Sequence, residues 1–206
     1  MKNKINIKER KIAKSYWNIM IKKANLEEAK LIYKEHMEKD FPPDELPEYK
    51  KYMYLTEKNI HEIYLYEKEN VPVAYFITVE DKGNILITHL AVIKEFRSKG
   101  IGKVLLNEIK EYFKNKKMLI VEVEAESRAN NKEELEIINK RKRYYLKSDF
   151  VQCDNMRYVL FNVEYDILVC GLNKCGKVDN YEIKEIMEKI YTNLRIDNSK
   201  LKIELN

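Results

Sequence analysis

Residues 97–103 read Arg-Ser-Lys-Gly-Ile-Gly-Lys and hold two of the chain's five glycines, Gly100 and Gly102. The apolar run HLAVI (89–93) precedes them. Val104, Leu105, Ile109, Tyr112 and Phe113 follow at helical spacing. The glycines therefore mark a strand giving way to a helix. The first amides of a helix lack intrahelical partners and lie at the positive end of its dipole, so the junction attracts anions. Glycine lets the backbone approach a bulky group with no Cβ between them, and successive amides there form a concave nest. Arg97, Ser98, Lys99, Gly100, Ile101, Gly102 and Lys103 are read as a phosphate loop, with a diphosphate as the predicted ligand. Two familiar phosphate loops do not fit. In the P-loop pattern Lys103 would precede Ser or Thr, but Val104 follows, and Arg97 stands where the first glycine belongs. The dinucleotide fingerprint needs a third glycine where Leu105 stands.

Groups able to move a proton flank this loop. Strand alternation puts Glu122 and Glu124 of MLIVEVE (118–124) on one face, which is unusual on an otherwise apolar run. It is read as a face lining a cleft where two parallel strands splay apart. His89 opens the HLAVI run. Either acid can instead pair with a base such as Arg141. The three cysteines, Cys153, Cys170 and Cys175, are odd in number and lack a CxxC spacing. They are read as free thiols in a reducing cytoplasm, not as a disulfide framework or zinc knuckle. With three histidines, no metal site is expected.

The elements that position these groups follow from periodicity. SYWNIMIKK (15–23) reads as a strand. Asn25 and Glu28 make a capping box for a helix that stops near Asp40, before Phe41-Pro42-Pro43. A second helix is expected from about Asp44 through LPEYKKYMYL. Strands over 61–68, 71–80 and 85–93, joined by short turns, form an antiparallel meander, with Gly83 at a positive-φ position. A helix from Gly102, a strand over 118–124, a helix over 131–147 and strands over 150–161 and 163–170 complete the sheet. A helix over 180–194 and a polar tail close the chain. This is an α+β fold with a central mixed sheet of about seven strands, an antiparallel meander plus a parallel crossover, flanked by helices.

Composition sets the outer limits. The 206 residues are 45% hydrophobic and 35% charged, enough for one domain with an extension. No apolar stretch approaches the roughly 20 residues of a membrane span, and the N-terminus lacks the apolar core of a secretory signal. The net charge is +5, but residues 1–23 alone carry eight positive charges against Glu9. The basic character belongs to that segment, so nucleic-acid binding is not expected of the domain.

The pattern [QR]-x-x-G-x-[GA], matched by Arg97-x-x-Gly100-x-Gly102 after LAV, resembles the GCN5-related N-acetyltransferase (GNAT) superfamily. HLAVIKEFRSKGIGKVLLNEI is similar to its central motif over 21 residues. RKRYYLKSDF (141–150) resembles its later motif R-x-x-F-Y-x-x-x-G-F, with Asp149 in place of the glycine. FPPDE (41–45) and VEVE (121–124) look like a bacterial branch. The inferred element order matches the family fold over about 15–170, leaving 1–14 as a basic extension. Residues 171–206 are then a helix and tail packed on the domain or on a second subunit.

The resemblance implies an acetyl-CoA-dependent N-acetyltransferase acting on a primary amine of a small molecule or peptide by direct attack in a ternary complex. It implies pantetheine along the backbone of Leu90, Ala91 and Val92, with the diphosphate on residues 97–103. Tyr145 matches the family's frequent general acid. Leu86 stands where histone-acetylating members carry a catalytic Glu, so the base stays open among Glu124, His89, Glu122 and a water chain. The other reading is a catalytically silent acyl-CoA sensor of the same fold. A cytoplasmic monomer or homodimer is expected.

Overall fold

A computed structural model describes residues 19–172 and 179–205. The basic extension 1–14, the start of the expected first strand and Cys175 lie outside the described residues. Strand β1 spans Ile19–Lys23. Helix α1 runs Leu26–Ile32, continues through a π-helical turn, Tyr33–Met37, and ends in Glu38–Asp40. Its capping box forms as the sequence indicates: Asn25 Oδ1 accepts from the Glu28 amide, and the Glu28 carboxylate accepts from the Asn25 amide, both at 2.9 Å. The second helix starts later than expected. Pro43–Glu45 is only a 3₁₀ turn, and α2 spans Tyr49–Glu57. Leu46, ahead of Pro47, is extended at ψ 137°, the conformation a following proline imposes.

The meander is β2 (Glu62–Lys68), β3 (Val71–Asp81) and β4 (Asn84–Val92). Gly83 turns the second hairpin at φ 89°. Helix α3 (Ile101–Tyr112) leads to β5 (Met118–Glu124), and α4 spans Lys132–Leu146. Asp149 holds the left-handed turn that a glycine would otherwise supply, at φ 66°, and Phe150 behind it is buried. The expected strand over 150–161 breaks into β6 (Val151–Gln152) and β7 (Met156–Leu160), because Asn155 turns the chain at φ 59°. Strand β8 spans Val163–Gly171, and α5 spans Asn180–Asn193.

The closing segment is not a loose polar tail. Leu201–Leu205 forms β9 and pairs with β7. Its sequence, LKIEL, alternates apolar and charged residues, so one face buries Ile203 while the other stays wet. Among the described residues the sheet therefore has nine strands, not about seven, in the order β1-β2-β3-β4-β5-β8-β7-β9, with β6 also on β8. The pairing of β4 with β5 is its parallel step.

Side-chain alternation sends the two faces of the sheet to different helices. Ile85, Ile87, Leu119 and Val121 pack against Leu105, Leu106 and Ile109 of α3, against Phe113 at its C-terminal cap and against Tyr145 of α4. Leu86, Met118 and Ile120 face the other way, onto Ile183, Ile186, Met187 and Ile190 of α5. On that same side, α1 and α2 cover Ile63, Leu65, Tyr75 and Ile77. Each such fully buried aliphatic or aromatic side chain contributes about 1.5–3 kcal/mol, which holds the β4–β5 junction rigid between the layers.

Candidate active site

Strands β4 and β5 part company halfway along. They pair from Asn84 with Met118 to Ile87 with Val121, and no further. The cause is visible on β4. Ile77 of β3 pairs with His89 and Thr78 with Ile87, so Thr88 is an extra residue that bends the strand. Past the bulge, β4 continues to Val92 with one edge open. The Ile93 amide donates to the Val73 carbonyl on β3 at 3.0 Å. By alternation the peptide groups of Leu90 and Val92 face the opening. Ala91 lies between them, its side chain against the α1–α2 core. A cleft of about 1010 Å³ fills the fork. His89, Leu90, Val92, Glu122, Glu124 and Tyr145 all line it.

At the far end of β4 the loop takes the form the sequence indicates, with details the sequence does not carry. Gly100 caps α3 at φ 78°, and Ser98 is also left-handed at φ 60°. The Arg97 amide is spent on the Lys94 carbonyl at 3.2 Å and the Lys103 amide on the Gly100 carbonyl at 3.1 Å. The amides of Ser98, Lys99, Gly100, Ile101 and Gly102 donate to no backbone carbonyl among the described residues. A Cβ built on Gly100 meets nothing within 4 Å, so the space above this turn is open. A Cβ on Gly102 comes to 3.9 Å from the Tyr144 ring, ordinary contact, so packing alone does not demand glycine there. The Tyr144 hydroxyl donates to the Gly102 carbonyl at 2.7 Å and ties α4 to the start of α3. Lys99 and Lys103 are exposed at the loop. Arg97 points elsewhere. Its Nε donates to the Val92 carbonyl at 2.9 Å, and its Nη2 is ion-paired with Asp40, which also accepts from the Tyr75 hydroxyl. The arginine thus braces the loop against α1.

The candidate proton carriers differ sharply in their surroundings. Tyr145 is buried, its ring edge-on to Tyr144 and Phe150, and its hydroxyl has no partner among the described residues. Burial pushes its pKa up to about 12. It also lines a smaller cavity of about 180 Å³ with Leu90, Val92 and Gly102, between the loop and the cleft. Glu124 is held by Arg128 Nε at 3.1 Å and Arg141 Nη1 at 3.2 Å, the pairing the sequence left open. His89 has both ring nitrogens engaged: Nε2 lies 3.3 Å from the Glu45 carbonyl and Nδ1 lies 3.1 Å from Thr88 Oγ1. A carbonyl only accepts, which assigns a ring proton to Nε2. Burial lowers the His89 pKa to about 4.

Glu122 is different again. It sits one residue beyond the last β4–β5 pair, at the vertex of the fork. Its carboxylate accepts from the Tyr158 hydroxyl and, at 2.7 and 2.8 Å, from the Tyr191 hydroxyl. No cation pairs with it among the described residues. Burial pushes its pKa up, against the lowering effect of both tyrosines. Sequence reasoning missed Tyr158 and Tyr191. The available signal was Tyr191 on the apolar stripe of a helix, where a buried hydroxyl needs a partner.

These features match a known group of enzymes. The chain matches the family model described as the acetyltransferase (GNAT) family over residues 26–135, more than half its length. It belongs to that family and is an N-acetyltransferase. No curated protein is matched by sequence. Among solved structures, a GNAT-family protein from Bacteroides thetaiotaomicron superposes with a TM-score of 0.69 at 17% identity, over 84% of this chain and 96% of that one. Spermidine N-acetyltransferase from Vibrio cholerae gives a TM-score of 0.55 at 12% identity, over 75% and 94%. The ribosomal-protein-S18-alanine N-acetyltransferase from Escherichia coli gives 0.50 at 14%, over 77% and 97%. At these identities the likeness is one of fold. The residues present suit an acetyl-CoA donor: five amides without backbone acceptors among the described residues, open space above Gly100 and an open strand edge leading into the cleft.

Proposed function

We propose that this enzyme moves an acetyl group from acetyl-CoA to a primary amine by direct attack within a ternary complex. The observation that carries this reading is the fork between β4 and β5. It joins an anion-binding turn on one side of the sheet to an acid-bearing cleft on the other. In this reading the amides of Ser98 to Gly102 hold the diphosphate, with Lys99 and Lys103 adding charge. The open backbone edge at the Leu90 peptide and the Val92 N–H holds the pantetheine arm, and one of these N–H groups faces the thioester carbonyl oxygen. The donor supplies an activated acetyl thioester.

The amine arrives protonated, since a lysine-type amine has a pKa of about 10.4. A base must take its proton. Of the three side chains weighed, Glu122 suits this role best. His89 has both nitrogens engaged and Glu124 is bound by two arginines, whereas Glu122 has no cation partner among the described residues and sits at the vertex of the fork. An ammonium beside it supplies the missing counter-charge. Tyr145, with its pKa at about 12, stays protonated through the working range and donates to the leaving thiolate. A thiol pKa near 8.5 lets the thiolate leave largely unaided. Tyr145→Phe is therefore expected to lower kcat by only about tenfold, with acetyl-CoA affinity unchanged by calorimetry. An unaltered kcat would remove the tyrosine from the mechanism.

The test of the function is a calorimetric titration with acetyl-CoA, followed by a thiol-release screen over a polyamine, an aminoglycoside, a lysine peptide and an alanine peptide. Saturable one-to-one binding and turnover of one amine support the reading. Binding without turnover of any amine favours a silent acyl-CoA sensor.

A further inference from the structure

The segment after β8 lies beyond the residues that match the family model, 26–135, yet it reaches the vertex of the fork. Helix α5 is fixed to the sheet by Ile183, Ile186, Met187 and Ile190, all buried against Leu86, Met118, Ile120 and Ile167. This sets Tyr191, on the same stripe, beneath Glu122. The Tyr191 hydroxyl lies 2.7 and 2.8 Å from the two carboxylate oxygens, so its single proton bridges them. Tyr158 donates to one of the same oxygens from β7, and β7 is itself paired with β9. The C-terminal helix and strand thus build the floor under the acid.

We infer that Tyr191 is a positioning residue for the transfer: its hydroxyl keeps the Glu122 carboxylate ionised and aimed into the cleft. The inference rests on the reading that Glu122 takes the ammonium proton. In that step one N–H bond of the ammonium breaks, one O–H bond forms on Glu122, and the lone pair stays on the amine nitrogen. A carboxylate deep in an apolar setting resists ionisation, and each hydrogen bond to the anion opposes that resistance. The groups facing Glu122 from the surrounding elements are Tyr158 on β7, Tyr165 on β8 and Tyr191 on α5. Across the cleft stand His89 on β4, His61 before β2, and Glu45 and Lys51 around the start of α2. Among these, only the Tyr158 and Tyr191 hydroxyls are bonded to the carboxylate.

Removing one of two donors raises the pH at which Glu122 takes a proton by about one unit. The full-length chain labelled with carboxyl-¹³C glutamate reports this directly, with the Glu122 signal assigned by its loss in Glu122→Gln. In Tyr191→Phe the ¹³C midpoint is expected to rise by about one pH unit. The acid limb of kcat/KM, measured with the panel amine turned over fastest, should rise by the same amount. The KM for acetyl-CoA should hold. If Tyr191→Phe fails to fold, 3-fluorotyrosine incorporated at position 191, a stronger donor, should move both midpoints downward instead. An unshifted ¹³C midpoint overturns the inference and leaves the role of Glu122 standing. A shifted ¹³C midpoint with an unmoved acid limb overturns both, because the limb then belongs to another group.

Discussion

Gly100→Glu is expected to abolish saturable acetyl-CoA binding while leaving the fold intact. Three contributions act together. Gly100 has φ 78°, a conformation that costs an ordinary residue about 1–2 kcal/mol. A Cβ at this position meets nothing within 4 Å, so the new side chain does not clash with the protein. It enters instead the space assigned to the diphosphate. There a carboxylate about 5 Å from a phosphate charge is repelled by about 3 kcal/mol at an effective dielectric of about 20. That alone weakens binding by more than about a hundredfold. Gly100→Gln has nearly the same volume and backbone strain but no charge. It should retain measurable affinity, weaker than wild type. Calorimetry on the three proteins separates the terms. Equal affinity for Glu and Gln variants would mean that the turn does not face the diphosphate.

Much of this site was legible before the structure, because its signals are local. The strand–glycine–helix junction depends on a few adjacent residues, and the strands and helices of the meander follow from period and turn chemistry. Asp149 could be read as a substitute for glycine because aspartate tolerates the left-handed region, and it adopts φ 66°. What stayed hidden was set by distant parts of the chain. The Thr88 bulge arises from the register between β3 and β4. The engagement of Arg97 with Asp40 joins residues 57 apart, so an arginine read as a phosphate partner braces the loop instead. The LKIEL alternation is only five residues long, so it reads as tail until its partner β7, more than 40 residues away, is in place. The choice between the two strand acids could not be made from alternation at all. It depends on Arg128 and Arg141 reaching Glu124 while two tyrosines reach Glu122.

That choice has a large expected consequence. Glu122→Gln should lower kcat by about 10²–10⁴-fold, the range for loss of a general base, and should remove the acid limb of the pH profile. Acetyl-CoA affinity should be unchanged, because Glu122 packs on the α5 side of the sheet and the glycine loop caps α3 on the other. Glu124→Gln breaks two ion pairs and should keep the limb. Stability supplies an independent check. The folded-state pKa of Glu122 is raised above its unfolded value by burial. The stability linked to its protonated form is present below the unfolded pKa and lost as pH rises through the folded one. Above the unfolded value of about 4.3 the buried carboxyl therefore costs stability, and the neutral amide removes that cost. Thermal melts should show Glu122→Gln at least as stable as wild type at pH 7–8, with the difference shrinking as pH falls from the raised folded-state value toward the unfolded value of about 4.3, and constant below it. A residue that lowers stability where the enzyme works, and whose removal stops turnover, is retained for chemistry. A variant that is both active and less stable would instead make Glu122 a structural anchor for α5.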